Sequence, residues 1–289
     1  MGKKEPYFEG WYMKHQKGDQ FFAVIPGIRR EEGGSWSAFV QVITAAQSYY
    51  VHYDPEEFGI QRKPLRIRVG ENVFSRQGIR LSIERDGLSL KGAVRYGELS
   101  PVSGDLMGPF AWVPGMECSH GVISMSHRLQ GAVVINGERI DVTGGSGYWE
   151  TDRGQSFPKR YFWTQCQDQG LLLMTAAATI PFGGLSFDGC LGVIRFGGQE
   201  YRVATYLGAR IERWSKRLLV LRQRSLRLEI RTGDGGDLPL KAPSDGRMDL
   251  EIRECLRGDA YYRLTIGRRL IFEVETDKAS TESFEGPCA

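Results

Sequence analysis

The chain has 289 residues, 41% hydrophobic and 25% charged, with a formal net charge of +3. That length accommodates one large or two ordinary domains, and so small a charge argues against a general polyanion binder. The N-terminus MGKKEPYFEGWYMK has no signal-type apolar core, Pro6 stands where myristoylation expects Ser or Thr, and no stretch reaches 18 apolar residues. The expectation is a cytoplasmic protein. Five cysteines at 118, 166, 190, 255 and 288 show no CxxC spacing and read as reduced thiols.

The dominant hydrophobic period is two. FFAVIP (21–26), SAFVQVIT (37–44), YYVHY (49–53) and LRIRV (65–69) are short alternating or apolar runs bounded by turn formers. IRLSIE (79–84) and LSLKGAVRY (88–96) follow, joined by Asp86-Gly87, and Asn136-Gly137 marks a second tight hairpin after VISMSHRLQGAVVI. A Gly/Pro/Ser-rich stretch fills 97–116. The second half repeats the texture through LLLMTAAATIP, LSFDGCLGVIRF, YRVATYL, LLVLRQ, LRLEIR, DLEIRE, YYRLTI and LIFEVET. The best helical candidate is a few residues near 210–218, and 232–247 reads as a long surface loop.

This pattern predicts an all-β protein of two packed barrel or sandwich domains with very little helix. The boundary is placed after the Tyr161–Gln165 strand, giving 1–166 and 167–289. The arginines between 210 and 231 alternate with Leu226, Leu228 and Ile230, which describes a solvated strand face and no nucleic-acid partner.

Three clusters carry chemistry. FEGWY (8–12) is an aromatic first strand with one acid, and Trp11 is a candidate pocket wall. MGPFAWVPGMECSHG (107–121) sets Phe110 and Trp112 in two Pro-containing turns, with Glu117, Cys118 and His120 close behind. Glu, Cys and His are all zinc-ligand types, but no HExxH or HxH pattern occurs, and a Cys118–His120 nucleophile pair is too close in sequence for base-to-thiol geometry. No metal is expected. The third cluster, GGSGYWETDRGQSFPKRYFWTQ (144–165), places Tyr148, Glu150 and Asp152 on one face if 148–152 is a strand. Two carboxylates about 7 Å apart repel, so one facing a barrel interior should hold a proton near neutrality and act as a general acid beside a base. The alternative is a structural network in which Lys159 and Arg160 neutralise both. The surplus of aromatics, Tyr148, Trp149, Phe157, Tyr161, Phe162 and Trp163, suits protonation of an alkene and shelter of the resulting cation.

FEGWYMK (8–14), MGPFAWVPGMECSHGVISMSH (107–127) and GGSGYWETDRGQSFPKRYFWTQC (144–166) resemble the signature blocks of the tocopherol cyclase family. ATYLGARIE (204–212), the Cys255 region and FEG (284–286) are similar to its C-terminal half. The resemblance implies two lipocalin-like β-domains, as in related carotenoid hydratases, and closure of a chromanol ring on a prenylated hydroquinone without redox or metal cofactor. At the matched positions the chemistry makes Asp152 or Glu150 the proton donor and the other, or His120, the phenol base, with Glu117 a further catalytic candidate. Trp112, Tyr148, Lys159, Tyr161, Trp163 and Trp11 become candidate substrate-binding residues for an apolar small molecule. Two departures stand out: Arg153 follows Asp152 where the family has Trp, and Gln167 stands where it has Asn. With no amphipathic helix evident, any peripheral membrane contact falls to loops at a barrel mouth. The other function class is a non-catalytic lipocalin-like carrier of prenyl quinones.

Overall fold

The computed structural model describes residues 5–31, 33–112, 116–182, 184–233, 237–244 and 247–286. Cys288 and part of the second signature block, 113–115, lie outside them. The described chain is all-β: 22 strands in two antiparallel sheets, with three short 3-10 turns and no α-helix.

The first sheet begins with β1 (Tyr7–Lys17), β2 (Gln20–Arg30), β3 (Trp36–Ile43) and β4 (Ser48–Tyr53). It continues with β5 (Phe58–Arg62), β6 (Leu65–Val69), β7 (Asn72–Ser75), β8 (Gly78–Arg85) and β9 (Leu88–Tyr96). It ends with β10 (Cys118–Ile135), β11 (Glu138–Asp141) and β12 (Ser146–Gly154). The order β4-β3-β2-β1-β12-β10-β9-β8-β7-β6-β5 joins two meanders through β12, and β11 pairs with β10. The second sheet holds β13 (Arg160–Asp168), β14 (Leu171–Phe182), β15 (Leu185–Phe196), β16 (Gln199–Ala204) and β17 (Arg210–Ser215). β18 (Leu218–Gln223), β19 (Leu226–Thr232), β20 (Asp237–Ser244), β21 (Arg247–Ile266) and β22 (Arg269–Glu285) complete it. Its order is β16-β15-β14-β13-β22-β21-β19-β18-β17, with β20 on β21. Each sheet therefore repeats one plan, a four-strand meander whose first strand pairs with the last strand of its sheet.

Two compact units result. One holds the chain to Val102, His120–Ser156 and Leu240–Leu250; the other holds Ser103–Ser119, Phe157–Pro239 and the chain from Glu251. The expected boundary after Gln165 falls inside β13, because that strand opens the second meander. Two expectations are corrected. Residues 210–215 form β17 rather than a helix, the 3-10 turn Thr205–Leu207 being the local helical element. The predicted loop 232–247 contains β20, and Gln41 bonds both backbone groups of Lys241 at 2.8 and 2.9 Å, tying that segment into the first unit.

Each unit has its own apolar core, and alternation explains which residues enter it. Trp11, Met13, Phe22, Val24 and Trp149 belong to the first core, while Phe162, Cys166, Leu171, Leu173 and Tyr262 belong to the second. The hairpin turns form as their residues require: Asp86-Gly87 and Asn136-Gly137 all have positive φ, the conformation of a type I′ turn. β1 and β13 are buried on both faces along most of their length. Glu9 of β1 is satisfied there by a bidentate pair with Arg62 at 2.7 and 2.8 Å and by the Tyr7 hydroxyl at 3.1 Å.

Close backbone approach requires glycine at several places, Gly131 among them. Gly131 of β10 has φ +139°, and a Cβ there would lie 2.2 Å from the carbonyl oxygen of Ala93 on β9. Backbone cannot yield as a side chain does. Gly131→Ala is therefore expected to destabilise the protein by about 3 kcal/mol, well beyond an ordinary Gly-to-Ala change. An unchanged urea midpoint would show that the β9–β10 pair tolerates a side chain at this position.

Candidate active site

β12 is the strand that the sequence GYWETD predicts, and its alternation sets Tyr148, Glu150 and Asp152 on one face with Trp149 in the core on the other. The register against β1 places Lys14 beside Tyr148, Tyr12 beside Glu150 and Gly10 beside Asp152. β10 flanks β12 on its other side. His120 is the third residue of β10 rather than a loop residue, and its neighbour Gly121 lies over Thr151, within 3.5 Å of where a Cβ would stand.

His120 bridges the two acids. Its Nδ1 is 2.7 Å from Asp152 Oδ1 and its Nε2 is 3.4 Å from Glu150 Oε2. The Tyr148 hydroxyl donates a short hydrogen bond to the same Glu150 oxygen, and the Tyr12 ring meets Tyr148 edge-on at 6.4 Å between centroids. Glu150 is 4% exposed and Tyr148 fully buried. Burial pushes the Glu150 carboxyl above the usual carboxylate range, opposed by the charge of His120 and assisted by that of Asp152. For His120, burial pulls the imidazole down, but the Asp152 and Glu150 carboxylates outweigh it and hold it well above its ordinary value. Burial and the Glu150 carboxylate together raise Tyr148. Burial thus disfavours the charge of Glu150 while the two carboxylates favour that of His120, and one face sets a carboxyl, an imidazole and a second carboxylate side by side. This is the separation of roles that acid–base chemistry needs.

His120, Glu150 and Asp152 also bring three ligand-type atoms within 4.8 Å of one another. These residue types suit zinc. The 2.7 Å contact with Asp152 takes His120 Nδ1, which leaves Nε2 and the Glu150 carboxyl as the atoms that would face an ion.

The other predicted residues lie on the opposite strand face or in the second unit. Trp11 is on the opposite face of β1, buried in the core and stacked on Phe58 at 6.4 Å, so it cannot line a pocket with Tyr148. Glu117, Trp112, Lys159, Tyr161 and Trp163 belong to the second unit. Trp112 is 87% exposed and Lys159 is exposed. Tyr161 and Trp163 are buried on the face of β13 opposite Phe162, where Tyr161 donates to Glu282. The predicted neutralisation by Arg160 is not seen: that guanidinium bonds Glu285 at 3.1 Å and stacks over Trp214 at 4.0 Å. Arg153, the departure from the family pattern, alternates away from Asp152 and is exposed, beside Glu9 in register. It does not enter the cluster.

Sequence reasoning saw Tyr12 only as one aromatic of the first strand and missed Lys14; both lie on the site face. The signal was present in Lys14: a lysine inside the run GWYMKHQ marks a strand with both faces covered. A second titratable group fills the core side of the same strands. His15 Nε2 lies 2.7 Å from the Tyr96 hydroxyl and stacks on Phe22 at 4.4 Å, while Tyr96 meets His127 at 4.3 Å and Trp149 at 6.3 Å. His127 Nδ1 is 3.0 Å from Ser124 Oγ, and a Cβ on Gly147 would come within 2.3 Å of its Nε2.

No protein-family model matches the sequence, and a search of curated proteins finds no match either. Solved structures do match in fold. Kievitone hydratase from Nectria haematococca aligns over 98% of this chain and 89% of its own, with 9% identity and a TM-score of 0.54. CghA bound to Sch210972 aligns over the same shares with 8% identity and a TM-score of 0.61. The chain thus has an all-β, lipocalin-like fold similar to these proteins over nearly its full length.

Proposed function

We propose that this chain is an enzyme of acid-catalysed addition to an isoprenoid alkene, and that its reaction is closure of a chromanol ring on a prenylated hydroquinone. One observation carries the reading: a buried carboxyl, Glu150, whose pKa burial raises, set beside His120 and through it beside a second carboxylate, Asp152. The resemblance of the signature blocks to tocopherol cyclases supports the substrate class, and a fold shared with a hydratase is compatible with protonation of an unsaturated substrate.

Glu150 delivers its proton to the less substituted alkene carbon, and the electron pair of the double bond forms the new C–H bond. The tertiary cation left behind lies beside the Tyr148 and Tyr12 rings, whose faces stabilise positive charge by roughly 0.5–2 kcal/mol per contact. The phenolic oxygen attacks that carbon and closes the ring. Its proton passes to Asp152, His120 gives its Nε2 proton to Glu150, and exchange of the Asp152 proton with water, which reprotonates Nε2, restores the starting state; substrate and product are isomers.

The test is incubation of the purified protein with a prenylated hydroquinone, followed by chromatography and mass spectrometry. A product of unchanged mass and shifted retention is expected. The second reading, a carrier, is favoured by the internal pairing of the cluster. Saturable binding of the hydroquinone without any isomeric product would establish it in place of the enzyme.

A further inference from the structure

The second unit presents apolar side chains to solvent where its fold gives no reason for them. Trp112 is 87% exposed, Leu185 79% and Leu207 42%, three of the six large hydrophobics that stand out of the described surface. They sit on one built platform. The 3-10 turn Gly108–Trp112 lies on the turn Thr205–Leu207 so closely that a Cβ on Gly108 would fall 2.6 Å from the Tyr206 ring. Phe110 packs against Tyr206 at 6.1 Å and Phe187 at 6.2 Å, and Leu185 shares a face of β15 with Phe187. The Arg202 guanidinium donates to the carbonyls of Ser103 and Asp105 at 2.5 and 2.7 Å, and the Tyr206 hydroxyl donates to that of Leu106 at 3.0 Å. The prongs are held rather than frayed.

Beside them runs the most basic segment of the chain. From Arg210 to Arg231 eight cations face two acids, although the whole chain carries only +3. Glu212 is taken by Arg222 and Arg227, and Glu229 by Arg227 and Arg231. Arg210 and Arg213 on β17 are exposed and make no ion pair among the described residues. An open depression of about 630 Å³ lined by Thr205, Asp188, Arg210 and Arg213 connects them to the platform. Asp188, its acid besides Glu212, is engaged by the Thr179 hydroxyl at 2.6 Å. β17 is a sheet edge with a bulge between Ile211 and Arg213, and edge protection accounts for arginines there. It does not account for an exposed Trp and two exposed Leu.

We propose that this surface docks the protein on anionic lipid bilayers, with Trp112, Leu185 and Leu207 entering the headgroup region and Arg210 and Arg213 meeting the phosphates. Trp settles at a membrane interface, and each basic side chain near an anionic surface adds attraction that salt weakens. A nucleic acid would satisfy the arginines and leave the prongs in water, so the bilayer is the partner whose chemistry matches both halves. The inference stands on this surface alone and does not need the catalytic reading. Should that reading also hold, the bilayer is where a prenylated substrate partitions.

The experiment is vesicle cosedimentation of the full chain, on phosphatidylcholine with and without about 30% phosphatidylglycerol. Binding to the anionic vesicles is expected. It should weaken at least about tenfold in a Trp112→Ala/Leu185→Ser double variant, in an Arg210→Glu/Arg213→Glu double variant, and at high salt. Thermal melts check that the variants fold. Should one fail to, brominated-lipid quenching of tryptophan in the wild type against Trp112→Phe reads the same contact. Vesicle binding that both double variants retain, no binding by the wild type, or binding to duplex DNA without binding to vesicles each overturns the proposal.

Discussion

Replacing Glu150 with Gln should abolish cyclisation, by at least about a hundredfold in turnover, while hydroquinone binding stays within about threefold of wild type. The substitution preserves shape and leaves the Tyr148 hydroxyl an oxygen to donate to, so the strand face should remain packed. What it removes is the transferable proton. Asp152→Asn should be milder in its first effect, because the amide can still hold His120 Nδ1. It deprives the cycle of its proton acceptor, and it also removes one of the two charges that hold the imidazole up. The pH profile separates the two roles. With Glu150 as acid, activity falls as pH rises through a carboxyl pKa lifted by burial, and Asp152→Asn shifts that limb downward by removing a like charge. A Glu150→Gln protein that still turns over at near wild-type rate would end the assignment of the acid. Loss of both binding and turnover would instead mark the cluster as structural, the role in which its internal hydrogen bonds merely satisfy buried charge.

The site was legible in the sequence as far as period two could carry it. Tyr148, Glu150 and Asp152 share a face because a strand alternates, and that needed only the three residues and their spacing. The partner was harder to see. His120 stands 30 residues before Glu150, and its contact depends on β10 lying next to β12, a pairing that no local pattern encodes. The partner of the two acids is thus a histidine adjacent in space and distant in sequence. Trp11 shows the converse. Its aromatic strand was read correctly as a strand, but β1 is buried on both faces, and alternation alone cannot say which face is the core. β17 was misread because its apolar residues are few and its bulge interrupts the alternation. The all-β class was the easiest inference, since Asp86-Gly87 and Asn136-Gly137 turns and many short alternating runs all favour the same answer, whereas the lipocalin-like form was implied by the resemblance of the signature blocks.

Acid should unfold the protein early, and the cause lies on the opposite face of the strands that carry the site. His15 and His127 are buried around Tyr96. Burial, and for His15 also the neighbouring His127, lowers them from 6.5 to about 3 and about 4. Both are neutral in the fold and take up protons once exposed. Their contribution is therefore complete above pH 6.5 and is lost as pH falls from 6.5 through the folded values. At pH 4 the loss is on the order of 3 kcal/mol for each, from about 1.4 kcal/mol per pH unit, against a total stability of about 5–15 kcal/mol for a typical domain. Of the other shifted groups packed on these strands, Glu150 alone opposes it. Tyr96, raised well above its usual range by burial, stays neutral throughout. His120, whose folded pKa is raised, contributes fully below 6.5 and so adds no slope in this window. Glu150, also raised, gives a slope of the opposite sign, its burial costing less as acid protonates it. Urea midpoints measured from pH 8 to pH 4 should drop steeply below 6.5, and a His15→Gln/His127→Gln variant should flatten the curve even if it is less stable at pH 8. Glu150→Gln should steepen it, because the opposing contribution is gone. A double-histidine variant with the wild-type slope would place the acid sensitivity outside this core and show that the two imidazoles reach water without global unfolding.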